Sequence, residues 1–370
     1  MPLYTKNLFI LLAAVLLFFS SFYILLPTLP LYVHIIGGDQ KDVGLVIGVF
    51  TLSSVFFRPF VGKFTNRIGR KNLMITGAFI FFVSPFFYSF TTHVATLLLV
   101  RIFHGVGIAA FTVSSITLIA DTSPIHRRGE AFGAFGLSAM IALTVSPAVG
   151  TWLLIFSFTE VFLTAAALSG VCVFLCFLVK EPRHNNTRTS FVEPGKVLLP
   201  SVIILLCTIT YGSIIAFLPF FAENISGFSL FYTCYALSSI VIRIPVGRIS
   251  DCMPRQRIIL PGLFTVSMSL VFLYASHSLI LLAFSGLLYG IGFSSVYPTL
   301  TALLVDRIPE EARAQGLSYF TASFDLGIAL GSVIFGFLPL SSIYPLGSVI
   351  VFTGMLFFYW SERSNLSSSR

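Results

Sequence analysis

Long apolar runs separated by short polar segments fill the chain from end to end. A run of about 20 residues is long enough for an α-helix to cross the hydrocarbon core of a membrane. A helix is required there because lipid offers backbone polar groups no hydrogen-bond partner. We therefore predict an all-α membrane protein with twelve transmembrane helices, over residues 8–33, 43–64, 72–91, 95–120, 131–155, 160–180, 198–222, 229–249, 258–276, 280–305, 315–338 and 343–361.

Composition supports lipid contact for most of the surface. Apolar residues make up 56% of the chain and charged residues 10%, whereas a soluble domain has about 25% charged residues. The net charge of +8 comes from basic residues spread over many short loops, which argues against a nucleic-acid-binding surface.

The distribution of Lys and Arg predicts the orientation. With a cytoplasmic N-terminus, the cytoplasmic segments carry 18 basic residues and the outer loops carry only Lys41; Arg58, Arg101 and Arg243 lie within spans. Cytoplasmic loops are normally the basic ones. We predict that both termini are cytoplasmic and that the protein is a multi-pass protein of the cell inner (plasma) membrane.

The two halves of the chain repeat one another. RPFVGKFTNRIGRK at residues 58–71 aligns with RIPVGRISDCMPRQ at residues 243–256, an offset equal to half the length of the chain. A duplicated half in an apolar chain is typical of transporters built from two repeats. We predict an N-terminal six-helix bundle, a cytoplasmic linker and a C-terminal six-helix bundle at residues 1–181, 182–197 and 198–370.

Two signatures resemble those of the major facilitator superfamily. GKFTNRIGRK, from Gly62, resembles the loop signature G-x-x-x-D-x-x-G-R-[RK], and RIFHGVG, from Arg101, resembles R-x-x-x-G-x-G. The stretches VYPTLTALL and SFDLGIALGS are similar to segments of bacterial drug and metallophore exporters. The resemblance implies a monomeric secondary transporter that moves a small-molecule substrate through a midplane cavity by alternating access.

The match departs from the signatures at two places. Asn66 stands where the loop signature has an acid, although the second copy keeps Asp251. The glycine-rich antiporter signature of span 5 is met only in part, by Gly133, Pro147 and Gly150. Proton antiport is therefore an expectation that rests on a partial match.

The repeated loop signature supplies candidates for gating. The resemblance places Gly62 and Gly247 where one half touches the other, and small residues allow such close approach. The alternative is that the neighbouring charges only obey the positive-inside rule. The candidate gating residues are Gly62, Asn66, Arg70, Gly247, Asp251 and Arg255.

Arg101 and His104 stand one turn apart in span 4 and share a helix face. A charge within a span is costly and usually lies beside a wet cavity or a partner, and His titrates near neutral pH. We interpret both residues as candidates for substrate contact and proton coupling. A neutral His104 hydrogen-bonded to a neighbouring helix is the alternative.

Asp325 is the acid nearest the membrane centre. It lies about 16 Å into span 11, near the middle of a core about 30 Å thick. Its positional mate is Met140, so the repeat does not require an acid here. We interpret Asp325 as a proton-coupling residue or a partner for a substrate cation, with structural pairing as the alternative.

Tyrosines supply further candidates for the cavity. Tyr289, Phe293 and Tyr297 recur every fourth residue in span 10, and Tyr23 and Tyr211 lie in spans 1 and 7. The resemblance places spans 1, 4, 7 and 10 around the cavity, where a tyrosine offers a ring and a hydroxyl. Packing between helices is the alternative.

The sequence contains no phosphate-binding loop, zinc pattern or nucleophile–base pair. We therefore predict a protein that is not an enzyme and has no cofactor or bound metal. The predicted function is proton-coupled export of a small amphipathic or zwitterionic molecule, with the lipid bilayer and protons as partners and no nucleic acid. The alternatives are proton-coupled uptake of a sugar, organic acid or other metabolite, and a membrane receptor or sensor.

The orientation can be tested at the C-terminus. A cysteine introduced at Ser367 of a variant without its native cysteines should react with a membrane-impermeant reagent only from the cytoplasmic side, because the basic loops hold that side inside. Labelling of intact cells from outside would contradict the predicted topology.

Overall fold

The structure, a computed structural model, describes residues 5–124, 128–181, 193–308 and 313–368. These residues form thirteen α-helices and no strand. The helices are α1 Lys6–Ile24, α2 Thr28–Ile35, α3 Gln40–Ile68, α4 Arg70–Tyr88, α5 Val94–Thr122, α6 Arg128–Leu153, α7 Phe158–Leu178, α8 Pro194–Phe221, α9 Leu230–Cys252, α10 Gln256–Tyr274, α11 Leu279–Arg307, α12 Arg313–Phe335 and α13 Leu340–Ser368.

The helices confirm the all-α membrane class. Within the described residues, eleven helical stretches are long and apolar enough to cross a membrane, counting Lys6–Ile35 as one. A shorter apolar stretch, Leu230–Arg243, lies in α9 where the eighth span is predicted. The cytoplasmic placement of the termini stays a prediction.

The first predicted span is interrupted. The sequence predicts one helix over residues 8–33, but the structure breaks it between Ile24 and Thr28. Pro27 lies at the break and favours it, because proline lacks a backbone N–H and its ring collides with the carbonyl of the preceding turn. The chain tightens just before it, where the N–H of Leu26 donates to a carbonyl only three residues back.

The second half has no break at the equivalent position. The position equivalent to Pro27 is Gly212, which keeps its backbone N–H. The equivalent helix, α8, runs without a break from Pro194 to Phe221. Because α8 contains Pro200 and Pro219 without a break, a proline by itself does not divide a span, and the break belongs to the position of Pro27.

The chain separates into two compact units, residues 1–186 and 187–370. In the N-terminal bundle, α5 packs against α3 and α4, and α1 packs against α6 and α7. In the C-terminal bundle, α11 packs against α9 and α10, and α8 packs against α12 and α13. Most of the predicted linker, residues 182–192, lies outside the described residues, and α8 already begins at Pro194.

Glycines lie at close helix crossings, and some of these positions repeat with the half-chain offset. A Cβ atom built on Gly105 of α5 would overlap the carbonyl oxygen of Phe50 in α3. A Cβ atom built on Gly290 of α11 would overlap the carbonyl oxygen of Tyr235 in α9. Because both members of each contact shift by that one offset, the sequence repeat is also a repeat of backbone contacts. Small residues are the usual means of close approach between membrane helices.

These crossings give a stability prediction. Gly105→Ala and Gly290→Ala should each lower the thermal unfolding temperature of the detergent-purified protein, because overpacking costs about 1–3 kcal/mol. Gly133→Ala is the matched control, since no atom lies within 4 Å of a Cβ built there and alanine is the better helix former. If both crossing variants unfolded at the temperature of the unmodified protein, the close contacts would not hold the bundles.

Candidate transport sites in the two bundles

Two ion pairs occupy equivalent positions at the end of each bundle that carries the repeated loop, which we call the basic end. Arg70 Nη1 lies 2.9 Å from Asp121 Oδ2, and Arg255 Nε lies 3.2 Å from Asp306 Oδ2. Each pair joins the start of one helix to the end of another, α4 to α5 and α10 to α11. Two predicted gating arginines thus have carboxylate partners that the sequence analysis did not assign.

The other four gating candidates are only partly described. Gly62 and Asn66 lie in α3, and Gly247 and Asp251 lie in α9. Their side chains fall outside the described part of the chain. Their gating role therefore stays a prediction.

Glu181 is a further acid at the basic end of the N-terminal bundle, and the sequence analysis missed it. Its carboxylate accepts the backbone N–H groups of Arg70 at 2.7 Å and Lys71 at 3.2 Å, which are free donors at the start of α4. Gly69 makes room for this cap, because its φ is +91° and a Cβ there would lie 3.1 Å from Glu181 Oε2. The cap joins α4 to the end of α7.

Glu362 also joins helices at the basic end of the C-terminal bundle. It is 6% exposed, and it accepts hydrogen bonds from Gln256 Nε2 at 2.7 Å and from Arg307. These contacts tie α13 to α10 and α11. In both bundles, therefore, a carboxylate joins helices at the basic end. Glu181 follows the last helix of the N-terminal bundle, and Glu362 lies in the last helix of the C-terminal bundle.

Arg101 is buried inside the N-terminal bundle, where only 3% of it is exposed. Its Nε donates to the Val46 carbonyl at 3.0 Å, and its Nη1 lies 3.4 Å from the Tyr88 hydroxyl. The guanidinium carbon lies 4.0 Å from the centre of the Phe50 ring, a cation–π contact. The described partners of this cation are thus a carbonyl, a phenol and a ring.

His104 shares Tyr88 with Arg101. The Tyr88 hydroxyl lies 2.6 Å from His104 Nδ1, and the imidazole ring packs against Phe50 and Phe81 with centroids 5.4 and 3.9 Å away. His104 has no exposed surface. The two candidates of span 4 are therefore brought together, through a residue of α4 that sequence reasoning missed.

Three of the four candidate tyrosines meet in one aromatic cluster of the C-terminal bundle. Neighbouring ring centroids lie 5.4–6.5 Å apart, within the range of favourable aromatic pairs. The cluster consists of Tyr211 of α8, Tyr235 of α9, Tyr289, Phe293 and Tyr297 of α11, and Phe320 and Phe324 of α12.

The cluster changes from a packed interior to a partly exposed end. Tyr289 is fully buried and its hydroxyl lies 3.0 Å from Thr210 Oγ1, whereas Tyr297 and Phe324 are half-buried. The fourth candidate, Tyr23, is in the other bundle, largely buried beside Phe19. Tyr297 is thus the tyrosine of the set that keeps surface for a ligand.

Asp325 follows directly after this exposed end. It lies twelve residues into α12, about 18 Å from the start of the helix, and is half-buried with its Oδ2 atom shielded from solvent. α12 packs closely on α8, where a Cβ on Gly327 or Gly331 would overlap the facing backbone. The carboxylate is therefore carried by a helix that is tightly held to its neighbour.

The fold and these sites define a polytopic helical membrane protein of two repeated bundles. Each bundle carries a charged residue within a spanning helix, Arg101 in α5 and Asp325 in α12. The sequence profile of the Major Facilitator Superfamily matches residues 11–242 and again residues 201–370. The chain belongs to this superfamily of membrane transporters.

Relatives with curated names agree with the family. The chain is 28% identical to the staphylopine export protein of Staphylococcus aureus over 92% of this chain and 91% of that protein. It is 23% identical to an uncharacterised MFS-type transporter of Methanocaldococcus jannaschii over 91% of this chain and 93% of that one. Over 49% of its length it is 29% identical to the quinolone resistance protein NorA of S. aureus, covering 47% of that protein.

Solved structures show the same fold. The xylose transporter XylE from E. coli, in an inward-open conformation, has a TM-score of 0.80 at 14% identity, covering 95% of this chain and 94% of that one. The nucleoside transporter NupG has a TM-score of 0.76 at 14% identity, covering 96% and 98%. At this level of identity the likeness concerns the fold alone.

The two ion pairs provide a matched test. Asp121→Asn should destabilise the protein more than the matched change in the other pair, because Arg70 and Asp121 are 5% and 19% exposed and breaking a fully buried pair costs about 3–5 kcal/mol. Asp306→Asn is the control, since its carboxylate is 54% exposed and exposed pairs contribute about 0–1 kcal/mol. Thermal unfolding of the purified variants measures both. An equal fall in unfolding temperature in both variants would show that burial does not determine how much these ion pairs stabilise the protein.

Proposed function

We propose that this transporter exports a small amphipathic or zwitterionic molecule in exchange for protons, by alternating access of its two bundles. The observation that carries the proposal is the 28% identity to a staphylopine export protein over nearly the full length of both chains. The half-length similarity to a quinolone resistance protein points the same way. As the site of action we propose the plasma membrane of a bacterium, with the protein working as a monomer.

Asp325 is the proposed coupling residue. It stands in the middle of α12, and its equivalent in the first repeat, Met140, cannot titrate. An acid that the repeat does not require, at a depth where charge is costly, is characteristic of a functional group. Its place beside the exposed end of the aromatic cluster supports contact with a substrate cation as a second role. Arg101 and His104 are the further candidates for coupling, and Tyr23, Tyr211, Tyr289 and Tyr297 for the cavity.

The basic ends are the proposed gates. The ion pairs of Arg70 and Arg255 hold helix ends together in each bundle, so each basic end can move as one unit. Gly62 and Gly247, with Asn66 and Asp251, are proposed to let these units approach and separate during transport. Bundle movement of this kind needs rigid ends and a small-residue contact.

Direction and substrate can be tested together in proteoliposomes. We use staphylopine and the quinolone norfloxacin as probes, because each is suggested by the name of a relative. A proton gradient should drive accumulation of at least one probe against the direction of proton flow. Accumulation in the same direction as the protons would favour the uptake alternative, and no movement of either probe would refute the proposed export.

Asp325→Asn should abolish this gradient-driven accumulation, because the amide keeps the shape of the side chain but cannot carry a proton. Exchange of the probe without a gradient should survive, since exchange needs only the cavity and the bundle movement. Glu160→Gln, at an exposed acid in the first turn of α7, is the control. Normal gradient-driven flux in a folded Asp325→Asn protein would remove Asp325 as the coupling residue, and loss of both activities would instead assign it to the substrate.

A further inference from the structure

We infer that Tyr88 is a positioning residue of the transport cycle: it aims the guanidinium of Arg101 and depends on His104 to do so. The inference rests on the proposed function in one respect, namely that Arg101 takes part in transport. It assigns His104 to the support of Tyr88 and Arg101, and leaves proton carriage to Asp325.

The donor and acceptor capacities of Arg101, Tyr88 and His104 suggest the order in which they donate hydrogen bonds. Arg101 can only donate, so the Tyr88 oxygen accepts from Nη1 at 3.4 Å. The Tyr88 hydroxyl then has its own proton to place, and His104 Nδ1 at 2.6 Å is the acceptor. In this assignment the donors run from Arg101 through Tyr88 to His104, and the histidine proton is on Nε2, which is buried and has no hydrogen-bond partner among the described residues.

The described groups around the Arg101 guanidinium are uncharged, so its orientation depends on hydrogen bonds and on the ring contact. The described contacts of Arg101 are the Val46 carbonyl, the Tyr88 hydroxyl and the face of Phe50, and none of them carries a negative charge. Neutral partners bind a cation less strongly than a carboxylate does, so the position of the guanidinium depends on each of the three contacts. Tyr88 supplies the hydroxyl in this set, so its loss frees the end of the guanidinium.

A protonated His104 fits this pocket poorly. Both ring nitrogens would then donate, and the Tyr88 oxygen would have to accept from His104 as well as from Arg101. A second cation would also stand beside Arg101 among the rings of Phe50 and Phe81. The geometry therefore suits His104 as a fixed acceptor.

The second repeat shows whether the fold itself requires Arg101, Tyr88 and His104, because it has the same helices with other residues at the equivalent positions. At the half-chain offset, the equivalents of Arg101, Tyr88 and His104 are Gly286, Leu273 and Tyr289. Where Arg101 reaches the carbonyl of Val46, a Cβ on Gly286 would lie 2.5 Å from the equivalent carbonyl, that of Phe231. The same helix crossing is thus held by a glycine contact, without a charge. The fold does not need the polar set, which indicates that it serves the transport cycle.

Transport by matched variants tests the inference. Tyr88→Phe should slow gradient-driven transport of norfloxacin or staphylopine about tenfold, as expected for losing a buried hydrogen bond to a charged group. Tyr32→Phe is the control, because its hydroxyl shares one proton between the carbonyls of Tyr88 and Thr91, and no hydrogen bond among the described residues joins it to Arg101 or His104. The control should stay within about twofold of the unmodified rate. Equal losses in both variants, at equal amounts of folded protein, would overturn the inference.

Two substitutions of His104 separate positioning from proton carriage. Asn places an oxygen near the position of Nδ1, so His104→Asn should keep most of the rate that His104→Leu loses. If His104 carried the coupling proton, both variants would lose gradient-driven transport alike, and the inference would fail. The double variant Tyr88→Phe with His104→Leu should be no slower than the slower single variant, because the two residues act through the same guanidinium.

A measurement without substrate keeps the inference testable if neither probe is transported. Nitrogen-15 NMR of histidine-labelled protein, with the signal of His104 assigned by its loss in His104→Asn, should show an unprotonated Nδ1 that accepts a hydrogen bond. Tyr88→Phe should shift that signal and Tyr32→Phe should not. A protonated Nδ1, or a His104 signal that does not shift in Tyr88→Phe, would overturn the inference. Failure of the unmodified protein to move either probe would refute the proposed function, and the inference would then stand or fall on this spectrum.

Discussion

Lipid offers the backbone nothing to bond to, and most of this structure follows from that constraint. Each membrane-spanning segment that the structure describes satisfies its N–H and carbonyl groups within a helix. The apolar surfaces of those helices gain little from leaving lipid for one another, so close packing has to come from shape. The glycine contacts of Gly105 and Gly290 with facing carbonyls supply such packing at equivalent crossings in the two bundles. At Pro27, which cannot donate, the first span is broken, whereas α8 stays continuous through Pro200 and Pro219.

Charge is placed under the same constraint. At the basic ends, Glu181 accepts backbone N–H groups in one bundle and Glu362 accepts from Arg307 in the other. These acids join helices that are distant in sequence, and they make each basic end a single fastened unit. Inside the bundles the solution differs. The guanidinium of Arg101 contacts a carbonyl, a phenol and an aromatic ring. These groups fix the orientation of the guanidinium but do not neutralise its charge.

Comparison of the two repeats separates what the fold needs from what transport needs. The ion pairs and the glycine crossings occur in both halves at the same offset, so they belong to the architecture. Arg101 with its two partners occurs only in the first half, and Asp325 only in the second. A residue that one repeat needs and the other replaces by Gly286 or Met140 is not explained by helix packing. Divergence between the halves therefore marks the positions on which the functional proposals rest.

The sequence alone determined the class of this protein, because its strongest signals are one-dimensional. Apolar length gave the spans, and the half-chain offset with the two signatures gave the superfamily. The break before Thr28 had a local signal in Pro27, which the length of the apolar run obscured. The partners of the candidate residues had none. Tyr88 is 16 residues from His104, and Glu181 is 111 residues from Arg70. Helices that are apolar on every side carry no stripe to show which face turns inward. Only the packed bundle fixes the rotation of each helix, and with it which polar groups meet.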